Sequence, residues 1–232
     1  NQLIVFVGGD YSNAGSVGGV YWSSNGGQNF TKSNGIAQNI MAPGTFYSNY
    51  GQAKDPVSTS KRYGYFEGDG GGFYESLDEG KNWIKISPDL TTNNKEKQKQ
   101  EESGGLSADN TSAENHCTIF SIAESSLDDN LIWVGTDDGN LQYTTDGGKN
   151  WTNVSKNYVA AGVPAQTWVS SIEPSKFDRN VVYASFDNHM YGDHKTYLAR
   201  SSDMGKTWTM FTNEDFTGFA HKIKEDNLSK AA

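Results

Sequence analysis

The stretch "FDNHMYGDH" gathers Asp187, His189, Tyr191, Asp193 and His194 within a few residues. Imidazoles beside carboxylates suit proton transfer or metal ligation, and an exposed tyrosine ring suits stacking on a sugar. Acidic stretches of the same kind recur at Asp10 in "VGGD", at Glu67 and Asp69 in "FEGD", and at Asp137 and Asp138 in "GTDDGN". Such carboxylates have two chemical uses. A pair can act as acid and base on a glycosidic bond, and Asp138 and Asp187 form the best local pair. A ring of them can instead collect a hard cation such as calcium. The structural use is simpler, because Asp and Asn cap tight turns and "DDGN" makes a good hairpin turn. The expected ligand-binding residues are His189, Tyr191, Asp193, His194, Asp10 and Asp69. No catalytic group is assigned beyond the weak pair Asp138 and Asp187. No cofactor is expected apart from a structural calcium, and metal ligands are left open.

Those residues need a scaffold, and the chain repeats one. "SSNGGQNF", "SLDEGKNW", "TTDGGKNW" and "SSDMGKTW" begin at residues 23, 76, 144 and 201. The spacing of 53 to 68 residues, with strand-like segments between, points to propeller blades. Each unit reads as four strands, A to D, rich in Val, Ile, Tyr, Trp and Phe and bounded by Gly, Asp and Asn. The octet [S/T]-x-D-x-G-x-x-W joins strands C and D. Asp78, Asp146 and Asp203 are placed to accept hydrogen bonds from the backbone of their own turn. Gly80, Gly148 and Gly205 supply the positive φ that the turn needs. Trp83, Trp151 and Trp208 open strand D and are expected to bury a ring between blades.

The expected fold is an all-β propeller of four-stranded antiparallel blades, about four in this chain, as a closed small ring or a slice of a larger one. One domain spans 1–232. Its blades cover approximately 1–32, 46–88, 117–156 and 167–213, with 89–116 as a polar insertion. The chain opens on a strand B and ends after a strand A, so 218–227 is expected to complete the first blade. Phe46, Tyr47 and Tyr50 are either sugar-stacking rings or strand A core. No amphipathic helix is expected. In an A-B-C-D meander the octets lie at one end, and the acidic B–C turns and the insertion lie at the other. Long loops on a rigid scaffold are where binding concentrates.

Composition narrows the function. A formal charge of −9 without a basic patch argues against nucleic acid and anionic membrane as partners. No apolar run approaches the length of a membrane-spanning helix, so no membrane insertion is expected. A lone Cys117 excludes an internal disulfide and a Cys-based zinc site, and it reads as a small buried residue opening the strand "CTIFSIA".

The octet resembles the Asp-box, or bacterial neuraminidase repeat, over essentially the whole chain. The first copy departs from the pattern with Asn25 and Phe30. "WVGTDDGNLQYTTDGGKNW" followed by "WVSSIEPSKFDRNVVYASFDNH" is most similar to the sortilin-type propellers of secreted and cell-surface proteins. "KDPVSTSKRYGYFEGDGGGFYESLDEG" is similar to xyloglucanase-type propeller hydrolases. The resemblance implies an extracellular, cell-surface or periplasmic address. It also implies a non-catalytic propeller that binds a protein, peptide or glycan, with a glycoside hydrolase acting on β-glucans as the alternative. Other domains of a longer parent chain, or a second copy, are further possible partners. A sialidase needs an arginine cluster, and only Arg62, Arg179 and Arg200 are present. An assembly factor akin to the photosystem II stability propellers ranks lower, because those use a basic patch.

Overall fold

The computed structural model describes residues 3–7, 19–35, 53–54, 60–66, 72–97, 116–213 and 215–226. It divides into two compact units, Asn1–Asp89 and Leu90–Ala232. Both are built of propeller blades, that is, antiparallel sheets whose strands follow chain order.

The first unit holds a three-stranded sheet of β1 (Leu3–Val7), β2 (Gly19–Ser23) and β3 (Thr31–Lys32). It also holds a four-stranded sheet of β4 (Ala53–Lys54), β5 (Arg62–Phe66), β6 (Gly72–Ser76) and β7 (Ile84–Lys85). The two sheets meet at the second octet. Trp83 donates its backbone N–H to Asn34 O at 2.9 Å, and the Ser33 hydroxyl reaches Gly80 O. Gly35 lies so close that an added Cβ would stand 1.9 Å from Trp83 O.

The second unit carries β8 (Ile119–Glu124), β9 (Ile132–Thr136), β10 (Leu141–Thr144) and β11 (Thr152–Asn153). The next sheet is β12 (Trp168–Pro174), β13 (Val182–Asp187), β14 (Tyr197–Ser201) and β15 (Thr209–Met210). The inner strands β8 and β12 lie side by side, with the Ser121 hydroxyl on Val169 O at 2.9 Å. Between the blades sits a core of Trp133, Leu141, Val154, Tyr158, Val169, Phe186 and Trp208.

A helix, α1 (Ser155–Ala160), leads from β11 towards β12 and corrects the helix-free expectation. It has no side-chain cap, so its sequence gives little local signal. Its anchor is Tyr158, fully buried, with its hydroxyl on Gly139 O at 2.5 Å and its ring 4.4 Å from that of Phe186.

The octets form one repeated turn. In the third, the Thr144 hydroxyl donates to Asp146 and accepts the Gly148 N–H. Asp146 accepts the Asn150 backbone N–H at 2.9 Å and its side-chain amide at 2.7 Å. The Trp151 indole N–H closes on Gly148 O. The second copy repeats every bond, and in the fourth the Thr207 hydroxyl stands in for the Asn150 side-chain amide. In the first copy Asn25 takes the Asp role, accepting from Ser23 and from the Asn29 N–H. Trp83 and Trp208 are buried as expected, but Trp151 remains half-buried.

These turns depend on acid. The Asn150 side chain and N–H, with the Thr144 hydroxyl, hold Asp146 down at about 2. At Asp78 and Asp203 burial pulls the other way, but the hydrogen bonds from Asn82 and Thr207 outweigh it and both lie low. A depressed carboxylate contributes stability above its unfolded pKa, and that contribution is lost as pH falls through the folded value. For Asp146 the window runs from about 3.8 down to about 2. Asp146→Asn, copying the natural Asn25, is expected to keep the turn and flatten stability against pH in that window. Acid titration of the folded fraction checks this, and an unchanged slope would refute it.

The segment 217–226 contains no strand, so the strand expected over 218–227 is not formed through residue 226. Its residues instead lie along β12. Lys224 pairs with Glu173 at 2.6 Å, and Glu225 accepts from the Ser175 hydroxyl and the Lys176 N–H. In sequence Glu225 corresponds to Glu124 and Glu173 near the ends of the earlier inner strands. The segment thus follows the inner-strand pattern in sequence and lies against β12 through side chains, but forms no ladder over its described residues.

Candidate functional site

Strand register fixes two ends in the second unit. Thr144, where the third octet starts, pairs with Ile132 at the start of β9. Thr136, at the far end of β9, pairs with Ile119 at the start of β8. In the last blade Trp168 at the start of β12 pairs with Asp187 at the end of β13. The turns carrying Asp138 and Asp187 therefore lie at the end away from the octets.

Asp187 is almost fully buried. One oxygen accepts the His189 N–H at 3.0 Å and lies 2.5 Å from His189 Nδ1, while the other is 3.0 Å from His221 Nδ1. Burial alone would raise its pKa, but the hydrogen bonds from His221 and His189 hold it below the usual carboxylate range. Asp187 is thus a fixed anion that orients two imidazoles. His221 belongs to the crossing segment, where it packs edge-on to Trp168 at 5.1 Å. Nothing in the local sequence links it to Asp187, 34 residues away, so sequence reading missed it.

Around this anchor the surface is apolar. His189–Tyr191 form one 3-10 turn, closed by Gly192 in the left-handed conformation. Phe219 stacks on His189 at 4.4 Å and lies 6.3 Å from the His194 ring. Met190, Tyr191 and Phe219 are 55%, 61% and 45% exposed, so this turn and the ring stacked on it present apolar surface to solvent. Lys97, from the insertion, places its ammonium 5.9 Å from the Tyr191 ring centre and bonds Gln166. Asp193 is taken up by the loop itself. The Tyr197 hydroxyl, with Asn188 and the Lys195 N–H, holds it low. Burial and Asp193 push Tyr197 up to about 12.

Asp138 is buried too, and the insertion folds onto it. The Thr92 N–H and hydroxyl both reach Oδ2 at 2.7 Å, and the Thr136 hydroxyl reaches Oδ1. Leu90, read as polar loop, is buried, and its carbonyl receives the side chains of Asn140 and Gln142. Beside Asp138 lie His116 and Cys117, whose ligand atoms and a carboxylate oxygen fall within 4.8 Å of one another. Burial chiefly, and then Asp138, push the Cys117 thiol up to about 11, and burial holds the His116 imidazole below its usual value. A thiol so placed is a poor nucleophile. Cys117 also has φ +69, a strained conformation for any residue but glycine.

The structure thus brings His189, Tyr191, Asp193 and His194 into one loop, with Asp138 in the preceding blade. Asp10, Asp69, Glu67, Phe46, Tyr47 and Tyr50 lie outside the described residues. The three arginines are engaged locally: Arg62 on Lys61 O, Arg179 on Asp128, and Arg200 over Tyr183. Among the described residues no helix is long and apolar enough to cross a membrane.

Residues 142–153 match the BNR/Asp-box repeat. The fold is similar to that of the Niastella koreensis GH74 enzyme, with 18% identity and a TM-score of 0.52 over 94% of this chain and 29% of that chain. An ancestral GH74 enzyme gives 17% identity and a TM-score of 0.49 over 91% of this chain and 23% of that one. YCF48 bound to D1 peptide gives 12% and 0.41, over 90% and 57%. No curated protein matches in sequence. At 18% identity the likeness to the Niastella koreensis enzyme shows the fold alone. The chain spans less than a third of the GH74 chains it matches.

Proposed function

We propose that this chain is a non-catalytic Asp-box propeller, or part of one, that binds an apolar peptide or protein segment at the end opposite its Asp-boxes. The carrying observation is the exposed Phe219 against His189 and His194, with Met190 and Tyr191 exposed in the same turn. Aromatic rings with a flexible thioether suit a partner's side chains, and the polar anchor beneath them fixes the surface. The sequence resemblance to sortilin-type propellers supports an extracellular, cell-surface or periplasmic address.

The hydrolase reading rests on Asp138 and Asp187 as a pair. A general acid must hold a proton near working pH. Asp187 is held ionised, and each oxygen of both carboxylates accepts at least one hydrogen bond. Incubation with xyloglucan or β-glucan is expected to release no new reducing ends.

The binding test pans a random peptide display library on the immobilised chain. Enriched peptides are expected to carry apolar side chains and to lose roughly 30-fold in affinity on Tyr191→Ala or Phe219→Ala, the effect of a hot-spot residue. Lys149→Ala, in the third Asp-box, is expected to leave binding unchanged. Enriched peptides that bind both aromatic variants as tightly as the parent would refute the placement. If only xyloglucan oligosaccharides bound, and Tyr191→Ala abolished that binding, the partner class would be a glycan instead.

A further inference from the structure

We propose that His116, Cys117 and Asp138 form a binding site for a divalent transition-metal ion of the zinc type, with a fourth position open to water or a ligand group. The imidazole nitrogen, the sulfur and a carboxylate oxygen lie within 4.8 Å of one another, close enough to converge on a single ion. A nitrogen, sulfur and oxygen donor set selects borderline-soft cations, whereas calcium takes oxygen ligands alone. A lone cysteine in the sequence argued against a Cys-based zinc centre. The mixed triad escapes that argument, because its third ligand comes from a turn 21 residues on from Cys117.

Two further observations support a built site. The first is orientation of the donors by their neighbours, as metal ligands require. Asn94 donates its backbone N–H to Cys117 Sγ at 3.2 Å, and the Thr92 hydroxyl lies 3.6 Å from the same sulfur. Asp138 is held by Thr92 and Thr136 through three hydrogen bonds. A carboxylate has about four lone-pair positions, so one remains for an ion. The second is the backbone of Cys117, which holds a φ of +69 just ahead of β8. The same sign of φ at Glu79 and Met204 serves the octet turns, so at Cys117 it supports a site only together with the converging donors.

The site also has a structural consequence. Thr92 and Asn94 open the insertion, His116 and Cys117 close it, and Asp138 sits in the turn between β9 and β10. One ion would tie the closing end of the insertion to the β9–β10 turn, and the opening end would follow through the hydrogen bonds of Thr92 and Asn94 to the same ligands. On binding, the metal–sulfur bond replaces the S–H bond and the thiol proton passes to solvent.

The experiment titrates cobalt(II) into the chelator-washed full chain and follows absorption. The expected result is a thiolate-to-cobalt charge-transfer band with tetrahedral visible bands, removed by zinc and not by calcium. Cys117→Ser is expected to abolish the charge-transfer band. His116→Gln alters a half-buried side chain ahead of the strand, so the fold survives, and it is expected to weaken cobalt binding on the order of 100-fold. Thr92→Val is expected to weaken it roughly 10- to 100-fold, the usual effect of removing an outer partner. Cobalt binding without the charge-transfer band, a band that survives in Cys117→Ser, or unchanged affinity in folded His116→Gln would each overturn the site. The readout is independent of peptide binding, so it stands or falls separately from the proposed function.

Discussion

Trp208→Ala is expected to destabilise the chain by about 3–5 kcal/mol, the range for removing a buried large aromatic side chain. Trp208 is 7% exposed and lies in the core between the last two blades. Its indole N–H closes the turn on Gly205 O, and its ring meets Phe186 edge-on at 6.3 Å. The same turn presses on the preceding blade. A Cβ on Gly205 would come within 3.2 Å of both Val154 and Trp133. Alanine would leave a cavity bounded by a sheet on each side, which cannot close without moving a whole blade. Trp151, the same octet position one blade earlier, is half-buried, so Trp151→Ala is expected to lose less than half as much. Urea unfolding of the two variants decides this. Equal losses would mean that the octet Trp acts through its own turn and not through the gap between blades.

The second large effect falls on Asp187. Asp187→Ala is expected to lower stability by about 1.5–3 kcal/mol, the range for hydrogen bonds to a charged group. The loss should be local in its consequences. His189 and His221 both lose their shared anion, so the 188–194 loop and the 217–226 segment lose a common anchor. Amide exchange is expected to rise in those two stretches and to stay unchanged in the Asp-box turns. Peptide binding should fall with it, because Phe219 is held over His189 by the same arrangement. Because Asp187 lies below the usual carboxylate range, its contribution is present above the unfolded pKa and fades as pH drops through the folded one. Exchange that rises throughout the chain would assign Asp187 a global structural role instead.

The parts of this fold that were legible in the sequence are those written locally. The Asp-box needs a hydroxyl, a carboxylate, a glycine and a tryptophan within eight residues, and the hydrogen bonds among those four close within that span. Asn25 shows how local the code is, since its amide oxygen still accepts from the Ser23 hydroxyl and the Asn29 N–H. Strand order and the two-ended layout follow from the repeat, so the end carrying Asp138 and Asp187 could be named in advance. What escaped were features set by partners far along the chain. The helix α1 has no cap and exists because Tyr158 fills a space between blades. Leu90 looked like loop because the residues that hold its carbonyl, Asn140 and Gln142, come 50 and 52 positions later. Asp138 read as a turn cap. It is one, but for Thr92 across 46 residues as well as for its own turn. The partnership of Asp187 with His221 left no trace in spacing or composition.

The most direct measurement is a backbone amide chemical-shift map of the isotopically labelled chain, titrated with a peptide enriched by panning. The largest shifts are expected in 188–194 and 217–221, with smaller ones near Lys97 and none in 144–151 and 201–208. Shifts concentrated in those two Asp-box turns, with 188–194 silent, would contradict that placement.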